Sequence, residues 1–361
     1  LDGPYTQILI DSRPVFSALS GVYGLEQIPA SMIERVEVMR GGGSALFGSS
    51  AIAGTINIIT KEPLRNSGQL SHTITSLGGS SSFDNNTSLN ASLVTDDHRA
   101  GLYIFGQNRY RSGYDYDGDG FTELPKLKNQ TVGFRSYLKT STYSKLTFEY
   151  HHMQEFRRGG DMLNRPPHEA HIAEQLQHSI DGGSLKFDYF SPDEKNRLSV
   201  FASAANTDRD SYYGPGNDPL KAYGKTTDLT AMGGAQYVHT FDKCFFMPSD
   251  LTAGLEYNRD RLKDNMWGYN RHTDQTVNIY SAFLQNEWKN DRWGILIGGR
   301  LDKHNMVDNV IFSPRANLRF NPTQNINLRL SYSSGFRAPQ AFDEDMHLSL
   351  IHISEPTRPL Y

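Results

Sequence analysis

The sequence predicts a mainly β protein, a transmembrane antiparallel β-barrel preceded by a small α+β domain, and three observations lead there. From about residue 69 onward, apolar and polar residues alternate in stretches of strand length. The connections between those stretches alternate between tight turns and long polar loops, as in outer-membrane-type barrels. The chain also carries 19 Tyr and 19 Phe in 361 residues, a usage that favours strands and interfacial girdles over helices. No apolar run approaches the ~18 residues that a membrane-spanning helix needs. Strands of a membrane barrel hide their apolar character in alternation, so low mean hydropathy does not exclude them.

The first region is compact and mixed. Residues 8–10 form a short buried-strand run that ends at the turn-forming Asp11-Ser12-Arg13-Pro14. Residues 25–31 suit a short helix, and residues 33–38 alternate apolar and charged side chains as a half-buried strand does. Met39-Arg40-Gly41-Gly42-Gly43-Ser44 reads as a flexible turn, residues 54–60 as another strand, and Lys61-Glu62-Pro63 as the boundary.

Beyond it, the alternation puts Leu251, Ala253, Leu255 and Tyr257 opposite Thr252, Gly254, Glu256 and Asn258. Tyr280, Ala282, Leu284 and Trp288 lie opposite Gln285 and Glu287, and Trp293, Ile295, Ile297 and Leu301 opposite Arg300 and Asp302. Ile326, Leu328, Leu330 and Tyr332 lie opposite Asn327, Arg329 and Ser331. Charges on the inner face are costly in a dry core and natural in a polar lumen. A soluble β-sandwich or propeller gives the same alternation, which does not by itself tell lipid from a protein core. Residues 290–292 and 321–325 suit tight periplasmic turns. Residues 113–126, 157–174 and 208–225 suit long extracellular loops, where recognition would sit.

A formal net charge of -4 argues against a nucleic-acid partner. The single cysteine, Cys244, closes no internal disulfide and has no zinc-spaced His or Cys around it. No nucleophile, base and oxyanion set emerges, so no enzyme is expected.

The run Ile28-Pro29-Ala30-Ser31-Met32-Ile33-Glu34-Arg35-Val36-Glu37-Val38-Met39-Arg40-Gly41 is followed by Ser44-Ala45-Leu46-Phe47-Gly48-Ser49 and by Ile56-Asn57-Ile58-Ile59-Thr60-Lys61. Together these closely resemble the plug signature of TonB-dependent outer-membrane receptors. Ser12 stands where the family usually has Gly in its Asp-Gly turn, and Gly42 where it commonly has Pro. Gly335-Phe336-Arg337-Ala338-Pro339 is similar to the end of a mid-barrel strand in these receptors.

The resemblance implies a plug over residues 1–63 with its beginning missing. It implies part of a transmembrane barrel over residues 64–348, supplying half to three fifths of about 22 strands. Residues 349–361 abandon the alternation and resemble translated sequencing adapter, the alternative being a genuine loop. An outer-membrane location in a Gram-negative bacterium follows, with import of an iron chelate, siderophore or haem, energised by the TonB complex. Cobalamin import is the alternative within the family, and a passive porin or adhesion barrel the alternative outside it. Outer-membrane lipid and a surface lipoprotein are further expected partners.

A plug in a polar lumen needs breakable charge-assisted contacts. Glu34, Arg35, Glu37 and Arg40 are the plug candidates, and Glu256, Glu287, Arg300 and Asp302 the barrel candidates, with mere solvation of a wet interface the other reading. Phe16 and Tyr23 are candidate apex rings, core packing being equally open, and Tyr212, Tyr213 and Tyr223 are candidates for stacking on a chelator. His151, His152, His168, His171 and His178 lie where imidazole would ligate haem iron. Asp115, Asp117, Asp119 and Gly120 match the start of a calcium loop, with Glu123 close by. Lys126 replaces the twelfth-position Glu, which favours a solvated Asp-Gly turn over Ca2+; no other cofactor is expected.

Overall fold

The computed structural model describes residues 6–14, 32–40, 54–215 and 222–336. The expected helix at residues 25–31, Phe16, Tyr23, the loop at 41–53 and the tail at 349–361 lie outside them.

Two sheets carry the chain. The smaller joins β1 (Thr6–Ile10), β2 (Arg13–Pro14), β3 (Ile33–Arg40) and β4 (Gly54–Thr60) in the order β2-β1-β4-β3. Both Asp11 and Ser12 sit at positive φ, 49° and 65°, in the tight turn between β1 and β2. That backbone is the reason glycine suits position 12. Ser12 is retained by side-chain bonding: its N–H donates to Asn57 Oδ1 at 2.8 Å, and its Oγ accepts from Asn57 Nδ2 at 3.3 Å. β1 runs parallel to β4, which lies in the middle of the sheet and is buried on both faces at Thr55, Asn57 and Ile58.

The larger sheet has thirteen strands, each paired antiparallel with its sequence neighbours. They are β5 (Ser67–Ser76), β6 (Phe83–Val94), β7 (Ala100–Arg111), β8 (Thr122–Ser141), β9 (Ser144–Gly160), β10 (Ile172–Phe190) and β11 (Asn196–Pro215). The series continues with β12 (Tyr223–Cys244), β13 (Met247–Met266), β14 (Arg271–Lys289), β15 (Trp293–His304), β16 (Ile311–Thr323) and β17 (Ile326–Ser333). Thirteen falls within the expected half to three fifths of about 22. Strand length is uneven: β12 has 22 residues, while β5 has 10 and β15 has 12.

The alternation sorts the two faces. Leu255, Tyr280, Leu284, Ile297, Leu301 and Leu330 share an outer face and are all exposed. A continuous belt of this kind has no place in water and is what a lipid-facing wall requires. Aromatic pairs bracket it. Near the tight turns, Trp288 stacks on Phe246 at 5.7 Å and Trp293 on Phe320 at 4.2 Å. At the other border Tyr257 and Tyr280 meet at 4.8 Å. From Tyr280 to Trp288 the strand climbs about 26 Å, or about 20 Å along a barrel axis at the usual tilt, close to the height of an outer-membrane apolar band.

The inner face is polar and tightly filled. Phe283, on β14, lies directly opposite Gly254 on β13, and its ring occupies the space a side chain there would take. A Cβ on Gly254 would come within 2.2 Å of the ring. Gly254→Val is therefore expected to lower the urea midpoint of the detergent-solubilised protein, by about 1–3 kcal/mol of overpacking. An unchanged midpoint would mean the ring swings aside freely.

The long loops are shorter than the sequence suggests. Strand β8 starts at Thr122, β9 and β10 extend to Gly160 and from Ile172, and β11 and β12 extend to Pro215 and from Tyr223. The connections contract to 112–121, 161–171 and 216–222. Beyond the lipid both faces of a strand tolerate polar residues, so the alternation fades while the ladder continues.

Candidate functional site: the plug–wall junction and the upper inner wall

The small sheet meets the wall at a cluster around Arg135, an inner-face residue of β8. Its Nη1 lies 2.6 Å from Asp11 Oδ2 at the end of β1 and 2.8 Å from Glu149 Oε1 on β9, and its Nη2 lies 3.3 Å from Glu62 Oε1. Arg135 Nη1 also donates to Thr60 Oγ1, whose hydroxyl donates to Asp11 Oδ2 at 2.6 Å. Lys145 adds a second cation, 3.1 Å from Glu62. Arg135, Asp11 and Glu149 are largely buried, so these are charge-assisted bonds in a site that water screens poorly.

The charges expected to form this junction are arranged differently. Arg35 and Glu37 pair with each other at 2.8 Å on exposed β3, and Asn57 Nδ2 donates to Glu37 at 3.2 Å. Glu34 is exposed beside them, and the Arg40 side chain lies outside the described residues. Arg300 spans Glu256 at 2.7 Å and Asp302 at 2.8 Å, and Ser281 Oγ donates to Asp302 at 2.6 Å. Glu287 makes no hydrogen bond or ion pair among the described residues. The Arg300 network therefore braces β13, β14 and β15 to one another. Among the described residues, the ion pairs of the small sheet with the wall are on β8 and β9, four or more strands along from the Arg300 network. Asp11, Thr60, Glu62, Arg135, Lys145 and Glu149 went unnoticed because nothing local in sequence marks a contact 124 residues apart.

Toward the long-loop end the inner face carries a row of arginines, each held by an acid. Arg109 pairs with Asp84 at 2.5 Å, Arg157 with Glu155 at 2.6 Å, and Arg209 and Arg271 with Asp264 at 3.6 and 3.3 Å. Asn129 Nδ2 donates to Glu155, and Thr226 Oγ1 donates to Asp264. His178 lies among them, fully buried and beyond the membrane belt. Burial, with Arg209 and Arg157 adding to it, pushes its pKa down to about 3, so it is neutral at physiological pH.

The other histidines do not converge on an iron site. His152 Nδ1 sits 2.9 Å from Asp181, His168 Nδ1 bonds Tyr223 Oη at 2.9 Å, His171 Nδ1 sits 2.6 Å from Asp161, and His151 packs against Gly182. Tyr212 and Tyr213 lie on β11 rather than on a loop tip. Tyr212 is fully buried against Tyr223, with rings 4.8 Å apart, and its hydroxyl donates to Pro215 O. Tyr213 is half-buried on the opposite face, and its carbonyl accepts from Tyr269 Oη. Around Tyr212, Ala170, Ala173 and Ala222 close a small apolar core that pins the 161–171 loop to the wall.

Asp161 anchors that loop. Burial pushes its carboxyl up, but hydrogen bonds from His171 and the Ile172 N–H outweigh this and hold it below the usual 3.8. A depressed folded-state pKa gives stability that is full above 3.8 and is lost as pH falls through the lower folded value. Asp161→Ala is expected to speed amide exchange across residues 161–172 about tenfold at neutral pH, from the acceptor lost to the Ile172 N–H and the His171 ring. The unaltered loop should open the same way only below about pH 4. Unchanged exchange in the variant would place the hold in the apolar core alone.

At the 112–121 loop, the carboxylates of Asp115, Asp117, Asp119 and Glu123 bring one oxygen each within 4.8 Å of the others. Each already accepts a backbone N–H: Asp115 from Gly118 and Gly120, Asp117 from Asp119, Asp119 from Phe121, and Glu123 from Tyr116. The Asp117 and Asp119 bonds, each to the N–H two residues on, are those of Asx turns.

The family model described as "TonB dependent receptor-like, beta-barrel" matches residues 54–347, and that of the "TonB-dependent Receptor Plug Domain" matches residues 1–55. The pairing of β4 with β1 and β3 places residues 54–60 physically in the small sheet. Among curated proteins, the vitamin B12 transporter BtuB of Vibrio vulnificus is 23% identical over 352 residues, covering 93% of this chain and 52% of that protein. An iron-regulated outer membrane virulence protein of Vibrio cholerae is 27% identical over 357 residues, covering 93% and 50%. Among solved structures, the siderophore receptor PirA of Acinetobacter baumannii superposes with a TM-score of 0.79 at 19% identity, over 93% of this chain and 54% of that one. A point mutant of the ferric enterobactin receptor PfeA of Pseudomonas aeruginosa, solved with enterobactin, gives 0.76 at 19% identity, over 93% and 55%. The chain spans about half the length of these relatives.

Proposed function

Since the chain belongs to the TonB-dependent receptor family, with plug and barrel both matched, we propose that it forms the plug sheet and much of the wall of an outer-membrane importer of an iron chelate, siderophore or haem, energised by the TonB complex. The observation that carries this reading is the Arg135 junction. A plug must be held at rest and released when work is done on it, and a few charge-assisted bonds between one wall arginine and two plug acids meet both demands. The lipid-facing belt with its aromatic borders supports the outer-membrane location in a Gram-negative cell.

For the ligand, the inner-wall arginines Arg109, Arg157, Arg209 and Arg271 suit an anionic chelate, which could exchange for the acids that hold them. The solved neighbours named as siderophore and ferric enterobactin receptors share this fold. Cobalamin is the second reading, favoured by the match to a vitamin B12 transporter over nearly the whole chain. Either way the role is transport and recognition rather than catalysis.

The test is growth of a receptor-deficient Gram-negative strain expressing the protein, with each nutrient supplied as the limiting source. Rescue by ferric chelates, dependent on TonB, is the expected result. Rescue by cobalamin alone would replace the first reading with the second, and rescue without TonB would point to a passive pore.

A further inference from the structure

We propose that ligand binding is coupled to a proton at His178: an anionic chelate that takes Arg157 leaves Glu155 without its cation, and a proton taken up by His178 replaces it. The proposal deepens the reading of the inner-wall arginines given above and rests on it. One cross-strand row on the inner face runs Asn129, Glu155, His178, Arg209, Thr226 and Asp264, one residue from each of β8 to β13. All six are buried. Arg157 and Arg271 stand nearer the long-loop end and reach down to the row, Arg157 to Glu155 at 2.6 Å and Arg271 to Asp264 at 3.3 Å. Their side chains keep 16% and 33% of their surface exposed, against 1% and 0% for the two acids. An incoming anion therefore meets the arginines before the carboxylates behind them.

Losing those arginines leaves the two acids in different states. Asp264 keeps Arg209 at 3.6 Å and the Thr226 hydroxyl, which donates to it at 2.6 Å. Glu155 keeps a bond from Asn129 Nδ2 at 2.9 Å and, 4.0 Å away, His178 Nδ1. Arg209 lies on the far side of His178, where its Nε and Nη2 both donate to Thr226 Oγ1. Around His178 the described charged or titratable groups are Glu155 and Arg157 on β9, Arg209 on β11, Asp228 on β12, Asp264 on β13 and Glu174 on its own strand. At rest burial, with the two arginines adding to it, holds the imidazole neutral. An anion on Arg157 cancels one of those charges and leaves a buried carboxylate in need of a partner, and both changes favour the imidazolium. One proton passes from solvent to the unprotonated imidazole nitrogen, and the His178–Glu155 pair then carries no net charge.

The test is isothermal titration of the detergent-solubilised protein at about pH 6.5 and about pH 7.5, each in two buffers of different ionisation heat. The probes are a trianionic ferric tris-catecholate and a neutral ferric tris-hydroxamate. The expected result is uptake of about one proton per trianion bound at the lower pH, and binding about tenfold weaker at the higher. His178→Gln should take up none and change affinity less than about twofold between the two. Glu155→Gln should also take up none, yet bind the trianion more tightly at the higher pH because Arg157 no longer leaves an acid behind, a gain that a damaged wall would not give. His98→Asn, at an exposed histidine in the tight turn between β6 and β7, should match the parent. Trianion binding without proton uptake in the parent, or uptake that persists in either the His178 or the Glu155 variant, would overturn the proposal and leave the anionic-chelate reading standing. Failure of the trianion to bind, or binding of the neutral probe in its place, would overturn both.

Discussion

Arg135→Ala is expected to release the plug sheet from the wall and to cost about 3–5 kcal/mol, the usual effect of removing one partner from a buried ion network. The magnitude follows from what is left behind. Asp11, Glu149 and Glu62 converge on one guanidinium, and without it two largely buried carboxylates face each other with no cation between them, while Lys145 reaches only Glu62. The urea midpoint of the solubilised protein measures the cost, and cellular sensitivity to a bulky antibiotic measures the loosened plug. The compensated variant Asp11→Asn/Arg135→Met/Glu149→Gln should recover most of the stability, because the charges leave together. A single variant as stable as the parent would mean that water already screens the cluster, and the junction would lose its claim to be the latch.

The second large effect is expected at Arg300, which is fully buried over the Phe283 ring at 5.8 Å. Arg300→Met should cost about 3–5 kcal/mol by orphaning Glu256 and Asp302, whereas Glu256→Gln/Arg300→Met/Asp302→Asn should fall within about 1 kcal/mol of the parent. Cellular antibiotic sensitivity, measured beside the urea midpoint, tells whether Arg300 only ties wall strands to one another or also holds the plug. An increase in permeability from Arg300→Met at unchanged barrel stability would make it a plug contact, and unchanged permeability would make it a brace of the wall alone.

The difference between those two arginines marks how far the sequence could be read. The wall strands were legible because lipid on one side and a polar lumen on the other impose a period of two, as at residues 250–258 and 280–288. The same physics made the loops look too long. Past the belt at Tyr257 and Tyr280, outer positions such as Arg259, Arg261 and Asp208 turn polar, and the period disappears from strands that go on pairing. Charged inner positions were also legible at Glu256, Arg300 and Asp302. Which of them meets which is a matter of register and of how the small sheet is seated, and neither leaves a trace in local pattern. Arg135 looks like any inner-face residue of β8 until Asp11 and Thr60 are brought to it. Tyr212 shows the converse, a ring whose place in sequence suggested a loop tip and which is buried in a core with Tyr223 and three alanines.

The uneven strand lengths shape how anything reaches the lumen. All thirteen strands cross one belt, so the ten residues by which β12 exceeds β15 stand above the lipid, a difference of about 25 Å once tilt is allowed for. The described wall is therefore a high parapet over β8 to β14 and a low sill at β5 to β7 and at β15 and β16. A small chelate clears both heights, but an antibody or phage fibre approaching along the cell surface meets the parapet first. Along the described wall, large binders should reach the inner face over the sill rather than over the parapet, so epitopes raised on the sill would hinder entry there more than those on the parapet's outer side.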